Sequence, residues 1–486
     1  MTLKQKTIIA LTWSFIDNSA RQGVQFIAGI ILARILAPRE FGLIGMITIF
    51  IAVSESFINS GFSNALIRKK ECTQADYSTV FYFNLTIGVI FYLTLFFSAG
   101  MISAFFDEPQ LKAILQVIGL VLIIFALTII QRTILVKRID FKLLTRISVI
   151  SALLSGIIGI SMAYAGFGVW SLVARTLAGA FFTSFFLWLW NRWKPALVFS
   201  IQSFKELFGF GSKLLLSGLI DTVYRNVYYL VIGKYFSAQE LGYYTRASQF
   251  KAVPSQNISG VMSRVTYPVL AQLQDNKELL KAAYKRLVKS VMLISFVLMI
   301  GLSAVAEPMI ITLIGEKWRP AVIYLQMLCF VGMFYPLSSL NLNMLNVLGR
   351  SDLFLRLEII KKILAVPTIV IGVIWGIKVM LAGMMVNTLI AYYLNSYWSG
   401  RFINYPMKEQ VKDILPSLCL ALFSGLIVFM AGRWLPFGYL VTLICQLALG
   451  AFITIGVCEI FRMDSYRYLK DIFITQIATL RNGKTR

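Results

Sequence analysis

Two pairs of opposite charges lie four residues apart inside otherwise apolar stretches: Asp17 with Arg21, and Asp221 with Arg225. A spacing of four puts both members of a pair on one helix face. Asn18, Gln22 and Gln25 accompany the first pair, and Lys213 and Asn226 the second. Glu55 with Asn59, Arg175, and Arg246 with Lys251 are further charges set in apolar runs. A charge at the centre of a bilayer costs about 2.5–3.5 kcal/mol even on the lenient insertion scale, so such groups face water or one another. Cations outnumber anions among them, which favours an anionic ligand. Arginine suits phosphate because its planar fork bonds two oxygens at once. A carboxylate within the membrane field can carry a coupling ion. Arg21, Arg225, Arg175, Arg246 and Lys251 are therefore candidate substrate-binding cations, and Asp17, Glu55 and Asp221 candidate ion-coupling groups. For the two spaced pairs, an intrahelical salt bridge is the competing role.

Other chemistry is thinly provided. The chain has no His, and its five cysteines (Cys72, Cys329, Cys419, Cys445 and Cys458) form no Cys-x-x-Cys pair. That argues against zinc sites, c-type haem and histidine-based catalysis. No phosphate-binding glycine loop is present, so ATP is not a direct energy source. No cofactor and no metal are expected.

The charges must be positioned by membrane helices. Of 486 residues, 58% are hydrophobic and 14% charged, where a soluble chain carries about 25%. Fourteen stretches have the roughly 20 apolar residues that an α-helix needs to span hydrocarbon: residues 10–36, 41–62, 77–104, 110–131, 143–164, 167–190, 207–236, 240–262, 289–311, 320–346, 354–376, 378–400, 413–433 and 437–461. Lys and Arg crowd every second gap, as in Arg68, Lys69 and Lys70, or Arg132, Lys137, Arg138, Lys142 and Arg146. The opposite gaps hold only Arg39, Lys112, Lys317, Arg319, Lys378 and Arg433. The positive-inside rule then places both termini in the cytoplasm. The net charge of +24 orients helices and meets anionic lipid; with no soluble basic domain, nucleic-acid binding is not expected. The first apolar run is too long and too charged for a cleavable signal.

A shift of 200 residues lays 31–43 on 231–243, matching Glu40 with Glu240 and Gly42 with Gly242. A shift of 212 lays Arg138-x-Asp140 on Arg350-x-Asp352. An all-α membrane protein is expected, with two six-helix lobes over residues 1–205 and 206–408, two further helices over 409–461, and a cytoplasmic amphipathic tail over 462–486. Two copies of like topology place a substrate site between them, in a wet cavity lined mainly by helices 1, 2, 7 and 8. Pro254 is expected to break helix 8. Tyr224, Tyr228, Tyr229, Tyr243 and Tyr244 are candidates for stacking on sugar faces, with helix packing as the alternative.

Several short motifs in order resemble a known family. They are LARILAPREFG (32–42), SGFSNALIRKK (60–70), TQADYSTVF (73–81), GFGVWSLV (166–173), RWKP (192–195), VIGKYFS (231–237) and LGYYTRA (241–247). Together they resemble the multidrug/oligosaccharidyl-lipid/polysaccharide exporter superfamily, and within it the WzxC-like branch of the Wzx-type polysaccharide flippases. The resemblance implies a fourteen-helix transporter of two lobes in the bacterial cytoplasmic (inner) membrane. It also implies transfer of an undecaprenyl-pyrophosphate-linked oligosaccharide from the cytoplasmic to the periplasmic leaflet. Lipid-linked oligosaccharide, membrane lipids and downstream polymerase machinery are the partners it suggests. A small-molecule exporter of the same superfamily, a membrane glycosyltransferase or polymerase, and a passive scramblase are the competing functions.

Overall fold

The computed structural model describes the backbone of residues 3–471 and 474, with the side chains of 3–12, 14–18, 256, 259–269 and 351 outside the description. All regular structure among the described residues is helical. The chain divides into two compact units, Met1–Thr245 and Arg246–Arg486.

The first unit contains α1 (Leu3–Ile35), α2 (Pro38–Asn59), α3 (Phe62–Arg68), α4 (Gln74–Phe106), α5 (Gln110–Ile118), α6 (Leu120–Lys137), α7 (Phe141–Tyr164), α8 (Val169–Asn191) and α9 (Ile201–Tyr235). α10 (Ala238–Gln272) starts there and runs on into the second unit. The second unit continues with α11 (Lys277–Ala304), α12 (Ala306–Ile314), α13 (Ala321–Met333), α14 (Tyr335–Val347), α15 (Ser351–Trp375), α16 (Ile377–Phe402), α17 (Met407–Trp434) and α18 (Tyr439–Ile460). Ten stretches among the described residues are long and apolar enough to cross a bilayer. α1, α9, α10 and α15 are as long but fall outside that set, and they carry many of the charges singled out above.

Local chemistry sets the helix starts. α2 opens with Pro38, whose missing amide proton is not needed in a first turn, and Glu40 accepts from the Ala37 amide at 2.6 Å. At α4, Thr73 and Asp76 cap each other: the Asp76 amide donates to Thr73 Oγ1 at 3.2 Å and the Thr73 amide to Asp76 Oδ2 at 2.8 Å, a reciprocal box that satisfies two orphan donors. Asp140 caps α7 through the Leu143 amide. Asn276 caps α11 through the amides of Glu278 and Leu279, and the basic stretch from Lys277 to Lys289 joins the following apolar run in one helix.

The core of the first unit is a cluster around Phe62, Leu66, Val80, Phe81, Leu122, Ile130 and Leu207. α9, which the sequence repeat assigns to the second copy, packs on α2 and α4 within this unit. The equivalent glycines of the repeat meet here. A Cβ on Gly42 would lie 1.6 Å from the carbonyl oxygen of Ala238, and a Cβ on Gly242 would lie 2.0 Å from that of Pro38. The partners are themselves equivalent under the 200-residue shift, so the contact is reciprocal and admits only glycine on both sides.

In the second unit α11 is zipped to α17. Lys281 and Lys285 bond Glu409 at 2.9 and 3.0 Å, and Lys285 and Lys289 bond Asp413 at 3.0 and 3.1 Å. Tyr405, fully buried, donates to Asp413 at 2.8 Å. Beyond α18, Met463, Tyr466 and Leu469 pack against Leu293, Leu420 and Cys458, and the Arg286 guanidinium lies 5.2 Å from the Tyr468 ring centre. The tail therefore starts docked on its own unit. Its further apolar positions Ile472, Phe473, Ile477 and Leu480 lie outside the described residues.

One expectation is corrected. α10 runs through Pro254 without a break. Proline removes the amide that would donate to the Phe250 carbonyl, a loss that membrane helices tolerate. The Ser255 hydroxyl donates to the Lys251 carbonyl at 3.0 Å.

Candidate functional site

Within the first unit, α1, α2, α3, α6, α7 and α8 enclose a cavity of ≈ 680 Å³. Each helix gives it one face. α1 contributes Arg21 and Gln25; α2, Glu55 and Asn59; α7, Ser148, Ser151 and Ser155; α8, Arg175, Thr176, Gly179, Ala180 and Thr183. α6 contributes Val121, Phe125, Thr128, Arg132, Thr133 and Val136, a stripe at helical spacing. α3 closes it with Ser63 and Ile67.

Three arginines and one glutamate are the charges of this lining. The Arg21 Nε is buried without a hydrogen-bond partner among the described residues. Arg175 donates through Nη2 to the Gln25 carbonyl at 3.1 Å; its stem fits because Gly159 faces it, where a Cβ would lie 2.7 Å from that of Arg175. Small residues on α7 thus make room for the arginine of α8. A buried guanidinium nitrogen without an acceptor is costly, about 1–3 kcal/mol or more for a charged group.

α3 is held at the cavity by charge. Lys137 donates to the carbonyls of Leu66 and Lys69 at 3.1 and 2.5 Å and to the Cys72 sulfur at 2.7 Å. That engages all three of its protons at the end of α3. Lys69 bonds Glu206 at 2.9 Å and Asp76 at 3.1 Å. The Glu206 hydrogen bond, more than any other contact, holds the Lys69 ammonium above the ordinary lysine pKa.

The site residues expected from sequence divide three ways. Arg21, Glu55 and Arg175 share this cavity. Asp221 and Arg225 bond each other on α9 at 2.7 Å, with side chains 45% and 62% exposed, and do not line it. Arg246 and Lys251 belong to the second unit. Arg246 is buried, donates to Gln249 at 2.7 Å and lies 5.9 Å from the Trp318 ring centre; the Lys251 stem packs against Gly332. The Asp17 side chain lies outside the described residues. Of the helices expected to line the cavity, helices 1 and 2 do so as α1 and α2; its other walls come from α3, α6, α7 and α8, and α9 and α10 are not in its lining. Of the tyrosines, Tyr228, Tyr243 and Tyr244 are buried in helix packing, the second of the two roles expected of them, with Tyr229 edge-on to Tyr244 at 5.5 Å.

Arg132 was missed as a lining residue because the apolar run was ended at residue 131, which put it in a cytoplasmic gap. α6 continues to Lys137. The signal was present in Thr133-Ile134-Leu135-Val136, which carries the helix one turn further.

The family described as polysaccharide biosynthesis protein matches residues 31–323. The chain belongs to this family. It is 26% identical to the lipopolysaccharide biosynthesis protein WzxC of Escherichia coli, over 93% of this chain and 89% of that one. It is also 26% identical to the teichuronic acid biosynthesis protein TuaB of Bacillus subtilis, over 70% and 71%. In three dimensions it superposes on the lipid II flippase MurJ in an inward closed conformation, with a TM-score of 0.76 at 15% identity, over 94% of this chain and 99% of that one. The family member therefore shares the fold of that multi-pass protein; the expected resemblance and the all-α membrane fold class stand, with ten of the fourteen expected spans long and apolar enough to cross a bilayer among the described residues.

Proposed function

We propose that the chain is a flippase that carries a polyprenyl-pyrophosphate-linked oligosaccharide from the cytoplasmic to the periplasmic leaflet of the bacterial cytoplasmic membrane. The observation that carries this reading is the convergence of Arg21, Arg132 and Arg175 on one cavity in a member of a polysaccharide biosynthesis family. The substrate head has a pyrophosphate and many hydroxyls, each of which resists transfer into hydrocarbon by several kcal/mol. A wet, cationic cavity lowers that barrier while the polyprenyl tail stays in lipid. Counted with α1, α9, α10 and α15, the ten apolar stretches make fourteen spans with both termini cytoplasmic. Arg21 and Arg175 hold the pyrophosphate, the protein alternates between inward and outward access, and Glu55 is the acidic group placed to couple an ion to the cycle. Arg225, Arg246 and Lys251 are not among the residues that line this cavity, and Arg225 is bonded to Asp221. Consumption of the flipped lipid by a polymerase on the far side would pull the reaction forward.

The test is translocation of an undecaprenyl-pyrophosphate-linked oligosaccharide in proteoliposomes. The wild type should move it, and Arg21→Ala and Arg175→Ala should each lower the rate at least tenfold, since a charge-assisted hydrogen bond is worth about 1.5–3 kcal/mol. Full rates in both variants would remove the arginines from the reading. A wild type that moves no such lipid under any ion gradient would favour the small-molecule exporter.

A further inference from the structure

Four threonines of the cavity have already used their only proton. On α6, Thr128 donates to the Ile124 carbonyl at 2.7 Å and Thr133 to the Ile129 carbonyl at 2.8 Å. On α8, Thr176 donates to the Leu172 carbonyl at 2.8 Å and Thr183 to the Gly179 carbonyl at 2.7 Å. All four line the cavity. Such bonds, one turn back along the helix, hold a hydroxyl against its own backbone. A hydroxyl has one donor and two lone-pair sites, so each turns only acceptors toward the cavity.

This separates the wall by chemistry. Phosphate oxygens only accept, so they find partners at Arg21 and Arg175 and none at these threonines. A sugar hydroxyl donates, so it finds a partner at a threonine and none at an arginine for its proton. The two surfaces adjoin: Thr133 follows Arg132 and Thr176 follows Arg175 in sequence, and both pairs line the cavity. A pyrophosphate seated on the arginines thus has the first sugars of the same molecule beside the threonines.

We infer that Thr128, Thr133, Thr176 and Thr183 form a hydroxyl-reading surface that sets preference for a glycosylated lipid pyrophosphate over the bare lipid pyrophosphate. The inference rests on the flippase reading and deepens it. The threonines are specificity residues, and the anion is held by other side chains.

The experiment uses the full chain in proteoliposomes with two probes, undecaprenyl pyrophosphate and the same lipid carrying an oligosaccharide. The wild type should move the glycosylated probe faster. Thr176→Val, Thr183→Val and Thr128→Val should each slow the glycosylated probe about fivefold, the worth of one ordinary hydrogen bond, and leave the bare probe unchanged. Thr176→Ser, which keeps the hydroxyl, should restore the preference. Valine variants that slow both probes equally, or neither, overturn the inference while leaving the flippase reading intact. A wild type that moves neither probe overturns both. Transport of the bare probe serves as the folding control within each variant.

Discussion

At the scale of single residues, charge in an apolar run was a sound guide to polarity and a weaker guide to place. Arg21 and Arg225 look alike in sequence, each four residues after an aspartate. In the structure Arg21 faces the cavity, and its buried Nε has no hydrogen-bond partner among the described residues. Arg225 is 62% exposed and bonded to Asp221. An exposed pair at this spacing contributes about 0.3–0.5 kcal/mol. Arg225→Ala is therefore expected to shift the melting temperature by little more than a degree and to leave flipping within about twofold, as a thermal melt and a flipping assay run together will show. Loss of transport in Arg225→Ala at an unchanged melting temperature would return that residue to the binding machinery. Glu55 was legible for the same reason as Arg21: a carboxylate on an apolar helix beside Asn59 has few places to go but a wet interior.

At the scale of elements, helix existence was legible because apolar runs of membrane length admit almost no other structure. Their ends were less so. Helices α4, α6 and α9 run past the apolar stretches, since polar side chains at a helix end reach the interface and do not stop the backbone. The contact of α2 with the start of α10 carries the sharpest prediction at this scale. Gly42→Ala and Gly242→Ala each drive a methyl into a backbone carbonyl, at 1.6 and 2.0 Å. Because backbone cannot yield as a side chain does, each should cost about 3 kcal/mol or more, measured as a lower melting temperature in detergent. The two losses should be similar, because the contact is reciprocal. Equal stability of either variant and the wild type would disprove the close approach.

The Lys69 tether of α3 carries a pH prediction. Its folded pKa is raised, chiefly by the Glu206 hydrogen bond, so folding favours the protonated form. The stabilisation is complete below the ordinary lysine pKa of about 10.4 and is lost only as pH rises through the raised value. The melting difference between wild type and Lys69→Ala should stay flat from about pH 6 to 9 and shrink above about 10.5. Removing the lysine leaves buried Asp76 with its contacts to Thr73 and Ser203, at a cost of about 1–2 kcal/mol.

At the scale of the whole molecule, orientation follows from charge summed over many gaps, so no single residue decides it. Reporters fused after residues 70, 138 and 462 should report cytoplasmic, and one fused after residue 107 external. A consistent reversal would overturn the topology. The start of the tail, residues 462–469, should remain with its own unit through Arg286 and Tyr468 and the packing of Leu469 on Leu293 and Leu420.

The sequence by itself determined that this is a helical protein with many apolar stretches of membrane-spanning length, and which family it resembles; the sidedness of its loops is an expectation from charge. Those follow from local quantities: apolar length, the sum of loop charge, and short ordered motifs. It also marked Arg21, Glu55 and Arg175 as polar interior. Only the tertiary structure decided that these three share one cavity within the first unit, that Arg225 on α9 is not in its lining, that Arg132 joins them, and that threonine hydroxyls beside them are left with acceptors alone. Convergence depends on which helix faces pack together, and the pattern within a helix is silent on its neighbour. For a membrane helix that silence is deepest, because apolar faces meet lipid and protein alike and the hydrophobic effect does not choose between them.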